Sequence, residues 1–269
     1  MPVLTHHDIG SGFPIVLGGS YLWNRNMWEP QIELLSRRYR LIIPELPGHD
    51  NDLPLSAALT TPACLARDVG RLLDSLGIRQ CAVAGLSVGG MWAAELALQR
   101  PEQIRSLILM DTFLGAEPEA SRQRYFGMLD MIERLGYIPE AMAEQIVPLF
   151  FRPGIAGDDP IRMRFLQRLL SWRRERLLNA VVPLGRLIFG RPDRLLALKD
   201  LDPETTLILS GEQDLPRPLT EAQQMARIIG CRLQSIPDAG HVATLENPAF
   251  VSVQLDAWLQ RSLSLAPSC

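Results

Sequence analysis

The chain has 269 residues, 47% of them hydrophobic and 21% charged, which is enough apolar material for one sizeable core. That composition excludes a disordered, collagen-like or disulfide-scaffold chain. Its 27 basic and 30 acidic residues leave a net charge of −3, so there is no electrostatic footprint for nucleic acid or an anionic membrane surface.

In chain order, short apolar runs alternate with helical patterns, the signature of a parallel sheet with crossover helices. Strands buried on both faces read as continuous β-branched and leucine runs. Six segments have that character: Phe13–Leu17, Tyr39–Ile43, Cys81–Ala84, Leu107–Met110, Thr206–Leu209 and Cys231–Ile236. A helix is expected from Leu65 to Leu76, with apolar residues at Leu65, Val69, Leu72, Leu73 and Leu76. The last helix has Asn247 as its cap and Pro248 at its first position.

Residues 113–199 break this rhythm. They hold no strand pattern and three amphipathic helical segments, around 121–135, 139–151 and 161–182, punctuated by Pro153-Gly154 and Gly157. The expected division is therefore a core of 1–112 and 200–269, with 113–199 forming a helical cap. Arg162 to Arg174 within it is rich in arginine and reads as a lid helix with a solvated outer face, the alternative being a basic amphipathic helix that lies on a membrane or docks an acidic partner.

The segment Met1–Asp8 lacks the basic and apolar regions of a signal peptide, and no apolar run approaches the roughly eighteen residues of a membrane span. Cys64, Cys81, Cys231 and Cys269 are scattered without metal-ligand spacing, which suits a reducing compartment and points to the cytoplasm.

The chemistry concentrates at Gly85-Leu86-Ser87-Val88-Gly89, a G-x-S-x-G sequence after a buried strand and before a helix pattern. A serine projecting from such a turn is strained and crowds the residues two places away, where only small ones fit. A serine hydroxyl needs a base to act as a nucleophile near neutrality. Among His6, His7, His49 and His241, only His241 follows the last strand, in Asp238-Ala239-Gly240-His241. Asp214, past the preceding strand, supplies the carboxylate that orients the imidazole. Asp111 and Glu212 are the rival acids. His49, in Pro47-Gly48-His49-Asp50, reads as a structural loop histidine, and His6 and His7 as solvated.

The oxyanion donors are assigned to the backbone N–H groups of Ser20 and Val88. Met128, Met131, Phe150, Phe151 and Trp172 are candidates for lining an apolar substrate pocket. The near-neutral charge fits a site for uncharged acyl compounds.

With these motifs the chain resembles the α/β-hydrolase superfamily over essentially its whole length. It is most similar to the small bacterial group of 3-oxoadipate enol-lactonases, esterases and cofactor-free perhydrolases. The resemblance implies an α/β fold with a mainly parallel eight-stranded sheet and a helical cap inserted after the sixth strand. It also implies a serine hydrolase working on a small-molecule acyl substrate, as monomer or homodimer, with no metal or organic cofactor. The same triad can serve thioesters or carbon–carbon bonds, and a ligand-binding protein on the hydrolase scaffold is the alternative from another class. The chain departs from the family where Gly18-Gly19 replaces His-Gly, and where Asp50 replaces a glycine.

Overall fold

A computed structural model describes residues 4–51 and 53–265. All six expected strands form: β2 (Phe13–Gly18), β3 (Tyr39–Pro44), β4 (Cys81–Leu86), β5 (Ile104–Met110), β6 (Thr206–Gly211) and β7 (Arg232–Ile236). A seventh, β1 (His6–Gly10), precedes them, where the sequence analysis expected solvated histidines. The sheet order is β1-β3-β2-β4-β5-β6-β7, with β1 antiparallel to β3 and every other pairing parallel.

The eight-stranded expectation is thus corrected to seven strands among the described residues. The place of the helical insertion shifts with it. The helical insertion follows β5, not a sixth strand, because no further strand precedes β1 among the described residues.

Helices α1 (Glu29–Leu35), α2 (Pro62–Ser75) and α3 (Val88–Gln99) cover the first half of the sheet. The apolar stripe Leu65, Val69, Leu72 and Leu73 of α2 is buried, as its spacing predicts. The insertion contains α4 (Glu119–Leu135), α5 (Glu140–Ile146), α6 (Pro160–Leu170), the short turn α7 (Arg174–Arg176) and α8 (Val182–Phe189).

The expected helix over 161–182 is broken. Asp159 caps α6 by accepting the N–H groups of Ile161 and Arg162, and the chain turns at Ser171 before α7. A π-turn, Leu177–Val181, joins α7 to α8, just ahead of Pro183, which has no N–H to continue an α-helical ladder. Helices α9 (Leu219–Ile229), α10 (Ala243–Glu246) and α11 (Pro248–Ser264) complete the chain. Asn247 caps α11 through the N–H of Phe250, as expected. No helix among the described residues is long and apolar enough to cross a membrane.

Candidate active site

The site lies at the carboxyl ends of the strands, where open α/β sheets hold their ligands. Strand β4 is fully buried between β2 and β5 and ends at Ser87. Ser87 has φ 59° and ψ −120°, a left-handed conformation that costs a non-glycine residue about 1–3 kcal/mol. The glycines on either side make this turn possible. A Cβ on Gly85 would collide with the carbonyl of Gly89, and one on Gly89 with the carbonyl of Gly18. Helix α3 starts immediately after Ser87, so its positive end faces the serine and the first N–H, that of Val88, has no helical acceptor behind it.

Asp214 stands beyond β6 and His241 beyond β7. His241 Nδ1 lies 2.9 Å from Asp214 Oδ2, and Asp214 Oδ1 accepts the backbone N–H of Arg217 at 3.0 Å. Both carboxylate oxygens are therefore engaged, and both side chains are buried. Ser87 and His241 open onto one cavity, of roughly 870 Å³ including its mouth, together with Ser20. The His241 loop is held by Glu246 of α10. This buried carboxylate accepts the N–H of Gly240 at 2.7 Å and the N–H of Arg152 at 2.9 Å. Burial nevertheless pushes the Glu246 carboxyl above the usual carboxylate range.

The rival acids have other surroundings. Asp111 ends β5 with φ 43°, and its Oδ1 accepts the N–H of Gly211 at 2.7 Å. Burial, and then the neighbouring charge of Asp214, hold its carboxyl well above the usual range. Glu212 points elsewhere and accepts the Ser235 hydroxyl at 2.9 Å.

The expected oxyanion donors differ in availability. Ser20 lines the cavity, but its N–H donates to the thioether of Met27 at 3.1 Å. An oxyanion must displace that weak acceptor, which a charged oxygen can do because charge-assisted hydrogen bonds are about twice as strong as neutral ones.

His49 is a structural histidine, as expected. Its Nδ1 donates to the Pro47 carbonyl at 2.9 Å and its Nε2 accepts the N–H of Leu22 at 2.8 Å. Burial pushes its pKa down to about 4, which keeps the ring neutral. Leu22 has φ 70°, and its carbonyl accepts Arg168 Nε at 3.1 Å. Arg168 also reaches the His49 carbonyl at 2.5 Å and lies 3.7 Å from Asp50. The arginine-rich helix thus turns one cation inward to hold the two loops beside the site, and Asp50 is its acidic partner.

Of the expected pocket residues, Met128 and Phe150 line the cavity. Three do not. Met131 is 40% exposed, since the buried face of α4 is centred on Leu129 and Ile132, on the other side of Met128. Phe151 is buried against Trp23 and Phe165. Trp172 packs edge-on to His49 under Arg168. The sequence analysis missed three charged lining residues, Glu117, Arg191 and Arg217.

His7, Glu45 and Asp50 bring ligand atoms within 4.8 Å of one another. Each already has a protein partner: His7 pairs with Glu45, Glu45 also accepts Asn51, and Asp50 accepts Asn24.

A family model described as an alpha/beta hydrolase family matches residues 3–253. This chain belongs to that family. A 2-hydroxymuconate semialdehyde hydrolase from a Pseudomonas is 26% identical over 253 residues, covering 90% of this chain and 85% of that protein. A thermophilic esterase from Thermogutta terrifontis, solved with malate bound, has a TM-score of 0.80 at 28% identity, covering 96% of this chain and 93% of its own. The enol-lactonase from Burkholderia xenovorans has a TM-score of 0.82 at 22% identity, a likeness of fold alone, covering 96% of each chain. With two further curated relatives, matched at 34% and 28% identity, the chain spans only 40% and 56% of their length.

Proposed function

We propose that this protein is a serine hydrolase that cleaves a carboxylic ester or lactone through an acyl-enzyme. The observation that carries this is the 2.9 Å contact of His241 Nδ1 with Asp214, with Ser87 on a strained elbow opening onto the same cavity. Ser87 Oγ attacks the acyl carbon while His241 takes its proton through Nε2 and returns it to the leaving alcohol. Asp214 fixes the tautomer with the proton on Nδ1 and stabilises the imidazolium. The oxyanion is held by the N–H of Val88 and by that of Ser20 once it leaves Met27. Water then repeats the sequence on the acyl-enzyme. The helices of 113–199 form the cap that supplies the apolar cavity wall, including Met128, Leu129, Ile132 and Phe150. Similarity to a protein titled an esterase, at 28% identity over nearly the whole chain, supports ester cleavage.

The test is a fluorophosphonate probe and short-chain p-nitrophenyl esters on wild type and Ser87→Ala. Wild type labels and turns over. Ser87→Ala does not label and loses about 10⁴–10⁶-fold in turnover. Equal rates for the two proteins would remove the serine mechanism.

A further inference from the structure

The wall of the cavity carries a charge arrangement that the triad does not use. Glu117 takes one hydrogen bond from each of two arginines: its Oε2 accepts Arg191 Nη1 at 2.8 Å and its Oε1 accepts Arg217 Nη2 at 2.5 Å. All three residues line the cavity with Ser87 and His241, and all are more than nine-tenths buried. Arg191 also gives Nη1 to the Ile188 carbonyl, while its Nε and Nη2 have no partner among the described residues. Arg217 Nη1 likewise has none, although Glu221 Oε2 lies 3.5 Å away.

Buried arginine N–H groups without a protein partner are costly, because no protein acceptor restores the lost solvation. The local charges do not cancel. Glu117 alone faces both guanidiniums, and Glu221, pushed up by burial to about 7, is only partly ionised near neutrality. The next carboxylate, Asp214, has both oxygens committed to His241 and to the N–H of Arg217. Much of the rest of the lining is apolar, with Leu129, Ile132, Ile138, Leu149 and Phe189 among it. The wall of this space thus brings two guanidinium side chains together beside a largely hydrocarbon surface.

We propose that Arg191 and Arg217 form a carboxylate subsite, and that the substrate is an acyl compound bearing a second, free carboxylate, such as the half-ester of a dicarboxylic acid. Guanidinium donors in a fixed fork match a planar carboxylate. The apolar lining takes the carbon chain between that carboxylate and the scissile carbonyl. The near-neutral total charge, which suggested an uncharged substrate, averages over this local excess. The substrate assignment rests on the serine-hydrolase reading above, whereas the carboxylate subsite can be tested without it.

The monoethyl esters of succinate, glutarate and adipate are compared with their diethyl esters by proton release, on wild type, Arg191→Met and Arg217→Met. In wild type at least one half-ester exceeds its diester by tenfold or more in kcat/KM, chiefly through KM. That ratio collapses toward one in both variants. Diesters cleaved as well as half-esters by wild type, or a ratio untouched in the folded variants, overturn the subsite. Should the variants not fold, inhibition of wild type decides: glutarate or adipate must inhibit at least tenfold better than the corresponding diamide, and equal inhibition overturns the proposal. If wild type cleaves no ester, the serine-hydrolase reading fails, and dicarboxylate binding is then judged by thermal shift. A rise in Tm with glutarate or adipate that Arg191→Met loses upholds the subsite, and no rise in wild type removes it.

Discussion

The Trp92 ring occupies the space that a side chain at Gly18 would fill. A Cβ on Gly18 would sit 2.5 Å from Trp92 Cζ2 and 2.9 Å from the Gly89 Cα. The histidine that the family resemblance leads one to expect at Gly18 is therefore excluded by a tryptophan on the helix behind the elbow. Gly18→Ala should destabilise by about 1–3 kcal/mol through overpacking, and Gly18→His by more. Trp92→Ala alone should cost about 3–5 kcal/mol as a cavity. The double variant Gly18→His/Trp92→Ala should be more stable than the sum of the singles by at least about 1 kcal/mol. Urea unfolding of all four proteins measures this, and strict additivity would show that the two positions do not share one volume.

The two buried aspartates at the strand ends should separate cleanly. Asp214→Asn removes the charge that orients His241 and should lower kcat about 10⁴-fold. Burial raises the Asp111 carboxyl above the usual range, and an asparagine keeps an oxygen for the Gly211 N–H, so Asp111→Asn should leave kcat within an order of magnitude. The sign on stability also follows. A carboxyl raised in the fold binds a proton that the unfolded chain releases, so its contribution is lost as pH rises. Asp111→Asn should gain on wild type in urea midpoints as pH rises above the usual carboxylate range. Inactive Asp111→Asn with active Asp214→Asn would reverse the assignment of the acid.

The contrast between these two aspartates shows where the sequence was informative. Ser87, Asp214 and His241 could be singled out as candidates because a strained serine requires Gly85 and Gly89, and because the candidate acid and base follow buried strands of recognisable composition. The inner strands were legible for the same reason. β1 was not, since His-His-Asp-Ile-Gly has no apolar run and pairs only on one edge, through register with Arg40–Pro44. The arginine subsite was hidden differently. Glu117 is 74 positions from Arg191 and 100 from Arg217, and each alone looks like a surface charge. Met131 failed by angle. It sits about 60° from Met128 around the helix, on the side away from Leu129 and Ile132.

His49 should make stability fall in acid. Its pKa drops from 6.5 to about 4 on folding, so between those values the unfolded chain binds the extra proton. The stabilisation is complete above pH 6.5 and is lost as pH falls toward 4, by about 3 kcal/mol in full. From pH 7.5 to 5, wild type should lose about 2 kcal/mol more than His49→Gln, which has no such titration. Guanidinium-free urea curves at the two pH values give the difference. Parallel losses in the two proteins would mean that His49 is not held neutral.

Arg168 is the remaining residue whose role can be separated from the triad. It spans from α6 to Leu22 and His49, and the Leu22 backbone is held on both sides, its N–H by His49 and its carbonyl by Arg168. Without those bonds a leucine at φ 70° tends to relax, since the left-handed region costs it about 1–2 kcal/mol. Relaxation would carry the Ser20 N–H, two residues earlier, out of reach of the oxyanion. Arg168→Met should therefore lower kcat about 10- to 100-fold with a smaller change in KM, because a displaced oxyanion donor acts on the transition state more than on bound substrate. It should also cost about 1–3 kcal/mol in urea unfolding, from the carbonyls left unpaired. Arg168→Lys can meet one carbonyl but not both and should fall between. A loss of stability with kcat unchanged would confine Arg168 to packing and detach it from the oxyanion loop.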